Sequence, residues 1–168
     1  MTARAFASPM IYLKMGETAI VDRPSTITTV LGSCVAVTLF DRRQGYGAMC
    51  HGVMPSCETA SRCARKCSRC GYYVECSVLT MARRFRSFGA RTGDIEARVF
   101  GGAALSVLPL HLRTLLSVGP RNVEAARNAL SRFEIPISSM IVGGRAGCRI
   151  SFDTLSGAVS VQHLVSAP

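Results

Sequence analysis

The residues of this chain best suited to covalent chemistry are a cysteine at a glycine corner, Cys34, and a histidine further on, His51. The run Thr26 to Asp41 reads TITTVLGSCVAVTLFD, and GAMCHGVMPS follows with Cys50 and His51. One strand reaches Leu31, the chain turns at Gly32-Ser33, and a second strand leaves from Cys34, which presents the thiol at a bend. Glycine at such a bend lets a ligand approach the backbone closely. Amide N–H groups at Gly32 and Ser33 can then face a carbonyl oxygen on which negative charge develops. The thiolate is the nucleophile, and an ordinary thiol with a pKa of ~8.5 is mostly protonated at neutral pH. A neighbouring imidazole can take that proton and later return it to a leaving amine. Antiparallel strands joined by a short connection around Asp41 to Gly45 would bring Cys34 and His51 side by side. A third group must hold the ring, and the hydroxyl of Thr28 on the incoming strand is the candidate. Of the other histidines, His111 follows a proline-broken segment and His163 lies near the C-terminus.

A second group of reactive side chains lies just downstream. The stretch SCETASRCARKCSRCGYYVEC spaces Cys57, Cys63, Cys67 and Cys70 as C-x5-C-x3-C-x2-C, with Cys76 beyond. Four thiolates at such intervals can close a tetrahedral zinc site, and CxxxCxxC is a spacing shared with one class of iron–sulfur site. Arg62, Arg65, Lys66 and Arg69 would offset the negative charge of such a cluster. The alternative is a loop of unliganded thiols made reactive by those same cations. Cys50 and Cys148 stand in apolar strand-like segments and read as small core hydrophobes.

The elements that must carry these groups are legible from periodicity. Residues 10–54 read as short strands, the clearest being Ile27 to Val30, Val35 to Phe40 and Gly47 to Met54. Val74, Val78, Met81, Phe85 and Phe88 then fall on one helical face, with Gly89 as the stop. Ile95 to Phe100 alternates as a strand and ends on Gly101-Gly102. Pro120 opens a second helix with Val123, Ala126, Leu130 and Phe133 on its apolar face. Ile137 to Val142, Cys148 to Phe152 and Ala158 to Leu164 read as closing strands. Two helices among about eight strands, with no repeat and no linker, imply one α+β domain over residues 1–168. The Cys/Arg-rich stretch at about 57–71 is a loop insertion within it. Gly101-Gly102 and Gly143-Gly144 read as turns shaping the rim of the site, because no strand–GxxxxGK–helix context supports a phosphate loop.

Composition limits the functional classes. Among 168 residues, 48% are hydrophobic and 18% charged, which excludes a disordered chain. No apolar run reaches the ~18 residues of a membrane span, and the N-terminal residues lack the apolar core of an export signal. A cytoplasmic chain with reduced thiols is therefore expected. The net charge is +10, and 18 of the 20 basic residues are arginine. That charge, together with the cysteine cluster, raises a rival reading: a small zinc-stabilised, arginine-rich nucleic-acid-binding module. Against it, the arginines are scattered from Arg4 to Arg149, and only Tyr72 and Tyr73 lie beside the basic loop, too few for a stacking platform.

Five segments in order carry a family resemblance: LGSC at Leu31 to Cys34, CHGVMPS at Cys50 to Ser56, EARVFGGA at Glu96 to Ala103, GPRNVEAARNAL at Gly119 to Leu130, and GG-x-x-G-x-R at Gly143 to Arg149. Together they resemble the CheD family of chemoreceptor glutamine deamidases. The resemblance implies a mixed β-sandwich flanked by helices and a protein-glutamine glutaminase that works through a Cys-His-Thr triad. Carried onto this sequence, the nucleophile is Cys34, the base His51 and the orienting residue Thr28. Thr29 is adjacent, and the choice between the two rests on register with LGSC. The implied substrates are glutamine side chains on cytoplasmic receptor helices, with methyl-ester hydrolysis passing through the same acyl-enzyme and a CheC phosphatase as partner in some members. No cofactor is implied for catalysis, so any zinc or iron–sulfur group would belong to the cysteine-rich loop. That loop departs from the polar loop expected of the family. On this resemblance an arginine-rich surface suits glutamate-rich receptor helices rather than nucleic acid.

Overall fold

The alternation of apolar side chains along the strands becomes two stacked sheets in the computed structural model, which describes residues 8–57, 69–104 and 118–164. Strands β1 (Met10–Tyr12), β3 (Thr26–Leu31), β8 (Cys148–Asp153) and β9 (Val159–His163) form one mixed sheet in the order β1-β3-β8-β9. Strands β2 (Thr18–Val21), β4 (Val35–Asp41), β5 (Tyr46–Gly52), β6 (Ile95–Gly101) and β7 (Ile137–Val142) form the other, in the order β2-β5-β4-β6-β7. The parallel pairs are β1 with β3 and β6 with β7; the remaining pairs are antiparallel. The expected α+β architecture, a mixed sandwich with helices, is the one observed.

Both helices lie on one face of the five-stranded sheet. Helix α1 (Val74–Ser87) buries Val74, Val78, Met81 and Phe85, the stripe read from its spacing, and ends at Gly89 with φ +84°. Helix α2 (Val118–Arg132) buries Ala126 and Leu130, and Pro120 stands in its first described turn. These residues pack on Val35, Val37 and Leu39 of β4 and Ala48 and Cys50 of β5. The intervening side chains, Ala36 and Phe40 of β4 and Met49 of β5, pack instead on Ile27 and Leu31 of β3 and Ile150 and Phe152 of β8. Strand β4 is therefore buried along its whole length, because each face meets a different layer. Each fully buried side chain of this size contributes roughly 1.5–3 kcal/mol, so this central position fixes β4 firmly.

Two short strands, β1 and β2, precede those singled out by pattern. Strand β5 ends at Gly52, and Met54 then makes an isolated bridge to Tyr73. The β4–β5 hairpin turns where Asp41 to Gly45 predicted. The Asp41 carboxylate accepts hydrogen bonds from the N–H groups of Arg43 and Gln44. Among the described residues, no helix is long and apolar enough to cross a membrane.

Candidate functional site

Strand register alone brings the two reactive residues to one place. Ala36 stands opposite His51 in the β4–β5 ladder. Cys34 precedes Ala36 by two residues, so it shares that face and is a diagonal neighbour of His51, at a backbone spacing of roughly 7–8 Å that side chains can bridge. The face is the one between the sheets, where Cys34 packs partly buried against the cluster containing Ala36 and Phe100. His51 is 4% exposed. Its backbone is gripped on the side away from β4: His51 N–H donates to the Glu17 carbonyl at 2.9 Å and its carbonyl accepts from Gly16 N–H at 2.8 Å.

The ring is held from the opposite sheet. Thr29 Oγ1 lies 2.7 Å from His51 Nδ1 and 2.8 Å from the Leu13 carbonyl oxygen. A carbonyl can only accept, and a threonine hydroxyl has a single proton. That proton goes to Leu13, so Thr29 must accept from Nδ1–H. The tautomer follows: Nδ1 carries the hydrogen and Nε2 keeps its lone pair. Nε2 is buried and has no hydrogen-bond partner among the described residues. It is therefore a base without a competing donor.

Thr29, not Thr28, is the threonine that lies against His51. The Thr28 hydroxyl donates to the Ile150 carbonyl at 2.7 Å and accepts from Ser151 Oγ at 3.1 Å, both on β8. Successive strand residues face opposite sides. Ile27, Thr29 and Leu31 share the core-facing side of β3, whereas Thr28, buried as well, lies on the other side and bonds along its own sheet. The sequence holds that signal, since Thr29 stands midway between two apolar residues of the same parity.

Electrostatics favour a neutral pair at rest. Burial pushes the His51 imidazole below the usual histidine value, opposed in part by the Leu13 carbonyl and the Glu17 charge. Burial likewise pushes the Cys34 thiol up, with its own backbone N–H pulling it back. A protonated thiol beside an unprotonated imidazole is the state that calls for proton transfer at the moment of attack. Cys50 is wholly buried under the helices and its thiol is pushed up to about 12, which makes it inert. Cys148 is buried as well.

The turn that carries Cys34 is fastened through its carbonyls. Gly32 O accepts from Ala103 N–H at 2.9 Å, Cys34 O accepts from Gly102 N–H at 2.8 Å, and Ser33 O accepts from Asn122 Nδ2 at 3.1 Å. None of the amide N–H groups of Gly32, Ser33 and Cys34 is spent on a turn or cap bond among the described residues. Gly143 and Gly144, both at positive φ, join this rim: Gly143 N–H donates to Gly101 O and Gly144 O accepts from Ala104 N–H. Type and spacing do not mark Leu13 for the site, whereas Asn122, with Arg121 at the start of the second helix, reads from sequence as a residue that either contacts substrate or caps and pairs locally.

The remaining candidates lie elsewhere. His163 is exposed on β9, opposite Cys148. His111, Cys63 and Cys67 fall outside the described residues, so the four-cysteine metal set of Cys57, Cys63, Cys67 and Cys70 is described only at its two ends. Among the described residues no three His, Cys, Asp or Glu side chains group as metal ligands.

Fold and site together define the class: a two-sheet α+β protein in which a corner cysteine and a threonine-held histidine share the face between the sheets. The chain belongs to the CheD family. Residues 55–163 match the family model described as CheD chemotactic sensory transduction. That match begins just downstream of His51, but full-length relatives span the site. A protein of Geobacter sulfurreducens named "Probable chemoreceptor glutamine deamidase CheD 2" is 33% identical over 168 residues, covering 98% of this chain and 96% of its own. One from Maridesulfovibrio salexigens, "Probable chemoreceptor glutamine deamidase CheD", is 33% identical over 92% of this chain and 91% of its own. A third, of the same name, from Nitratidesulfovibrio vulgaris, is 36% identical over 92% of this chain and 77% of its own. Among solved structures, the Bacillus licheniformis hypothetical protein YfiH overlays with a TM-score of 0.49 at 15% identity, over 76% of this chain and 51% of that one, about half its length.

Proposed function

We propose that this protein is a protein-glutamine glutaminase that converts glutamine side chains of chemoreceptors to glutamate, with Cys34 as nucleophile, His51 as general base and acid, and Thr29 as the residue that orients the ring. The observation that carries the reading is the chain of hydrogen bonds from His51 Nδ1–H to Thr29 Oγ1 and from Thr29 to the Leu13 carbonyl, which leaves Nε2 without a partner among the described residues in a histidine whose register makes it a diagonal neighbour of Cys34. The names of the family relatives support the choice of substrate.

The steps follow from those atoms. Nε2 takes the thiol proton as the Cys34 sulfur bonds to the carboxamide carbon of the glutamine. The carbonyl π electrons move onto oxygen, and the N–H groups at Gly32, Ser33 and Cys34 are the donors available to stabilise that oxyanion. As the C–N bond breaks, Nε2–H returns its proton to the nitrogen, which departs as ammonia and leaves a thioester. Water then attacks the thioester carbon, giving a proton to Nε2; collapse returns that proton to sulfur and releases the carboxylic acid, which loses its own proton to solvent to give glutamate. No metal or cofactor enters these steps. A receptor methyl ester in place of the carboxamide would pass through the same thioester with methanol leaving, so methylesterase activity belongs to the same reading.

On this reading residues 1–168 act as one deamidase domain with residues 57–71 as an insertion. It works in the cytoplasm, where receptor helices and a CheC-like phosphatase can meet it. The test uses purified protein and a receptor cytoplasmic fragment, following ammonia release and the unit mass gain at each converted glutamine. Parent protein should convert specific glutamines, and Cys34→Ala should show no conversion while keeping the parent's circular dichroism. Undiminished conversion by Cys34→Ala would remove Cys34 from the chemistry.

A further inference from the structure

The second helix carries a polar side chain that its role as a packing element does not explain. Asn122 is 0% exposed, on the same helix whose Ala126 and Leu130 face the core. Its Nδ2 donates to two carbonyls that lie far apart in the chain, Ser33 O at 3.1 Å and Val53 O at 2.9 Å. Both partners are acceptors, which fixes the orientation of the amide. Ser33 is the residue before Cys34, and Val53 is two residues beyond His51. One amide group therefore joins the turn of the proposed nucleophile to the strand of the proposed base.

That link closes a gap in the β4–β5 ladder. The ladder pairs Val35 with Gly52 and goes no further. The next pair in register would be Cys34 with Val53, where the strands part, and Val53 N–H has turned away to donate to the Tyr72 carbonyl at 2.9 Å. Asn122 spans the parting strands with a donor on each. Its Oδ1 is buried with no partner among the described residues. A buried amide that leaves its acceptor unused is a poor choice for packing alone, since an apolar residue of the same shape would avoid the desolvation. What the amide supplies, and an apolar residue cannot, is the pair of N–H donors.

We propose that Asn122 is a positioning residue for the deamidation reaction: its two N–H donors set the distance and angle between the Cys34 thiol and His51 Nε2. It acts through Ser33 and Val53 and touches neither substrate nor the reacting atoms. The inference rests on the Cys34–His51 reading. Misplacing a reacting group by about 1 Å costs on the order of a hundredfold in rate, so loss of this clamp should appear in kcat far more than in KM.

The test compares parent protein with Asn122→Asp, which keeps the shape but turns oxygens toward both carbonyls, and Asn122→Ala, which removes the amide. Three readouts are taken at a temperature where the folded signal of each variant matches the parent. These are kcat and KM on the receptor fragment, the rate of Cys34 alkylation by iodoacetamide across pH, and the thermal midpoint. Alkylation is read by mass spectrometry on the peptide that carries Cys34. The expected result is a fall of about a hundredfold in kcat with KM within about threefold, and a Cys34 alkylation profile displaced along the pH axis in both variants. Parent-like kcat and an unmoved alkylation profile in either folded variant would overturn the proposal. Unfolding of both variants would overturn it equally, by assigning Asn122 to the fold. The alkylation arm needs no substrate. If parent protein released no ammonia, the deamidase reading would fail while the clamp would still be decided.

Discussion

Thr28 and Thr29 are chemically identical, and only one of them can serve a histidine across the sandwich. Thr29 holds Nδ1–H of His51 and spends its own proton on the Leu13 carbonyl. Replacing it by valine keeps the shape and leaves two buried groups unsatisfied, a cost of ~1–3 kcal/mol in stability. The ring would also lose the partner that selects its tautomer. Thr29→Val should therefore lower kcat on a receptor fragment by about 10- to 100-fold with KM little changed. Thr28→Val removes bonds to Ile150 and Ser151 on the neighbouring strand and should leave kcat within about threefold. Steady-state kinetics on the two variants side by side checks this, and the reverse order of effects would return the orienting role to Thr28.

At the scale of elements, the site is made where strand ends meet. Strand β6 finishes at Gly101, whose φ of +94° is in the left-handed region. A Cβ there would stand 2.4 Å from the Cys34 carbonyl oxygen, a backbone atom that cannot swing aside. Glycine at this position lets β6 press directly against the turn that carries Cys34, and Gly102 N–H then fastens the Cys34 carbonyl. Gly101→Ala should cost roughly 1–3 kcal/mol of stability through backbone strain. It should also reduce deamidation beyond what the stability loss explains, because relief of the clash must move Cys34. Thermal melts paired with activity measured well below the midpoint separate the two effects, and a destabilised variant with parent-like kcat would count against a positioning role for the β6 end.

The whole molecule carries a charge of +10, and its distribution bears on how it meets a substrate. Arg42, Arg43, Arg98 and Arg132 are engaged with Glu96, Asp94 or Glu75. Arg121 of α2, Arg145 of the glycine turn and Arg149 of β8 are exposed on elements that border the Cys34 corner. A glutamate-rich helix approaching that corner would meet an attractive field reaching about one Debye length, ~10 Å at 0.1 M salt. Raising salt from about 0.05 M to 0.5 M should lower kcat/KM on receptor fragments severalfold while leaving kcat nearly constant. A flat salt dependence would mean that these arginines do not steer the encounter.

Period and local chemistry were sufficient for much of this protein. The apolar stripe of α1, the stop at Gly89, the hairpin between β4 and β5 and the Cys34–His51 pairing are local, since each depends on residues within a few turns or one ladder. Parity along TITTVL also contained the distinction between Thr28 and Thr29, although a hydroxyl says nothing of which sheet it will face. Tertiary structure alone decided the partners that come from afar. Leu13 contributes a carbonyl and Asn122 an amide from segments whose own pattern reads as a short strand and an ordinary amphipathic helix. Their value comes from distances across the sandwich, which no spacing along the chain encodes. Covalent capability was written in the residue types at Cys34 and His51, whereas the direction of the imidazole proton was set by which acceptors the packed sheets placed around it.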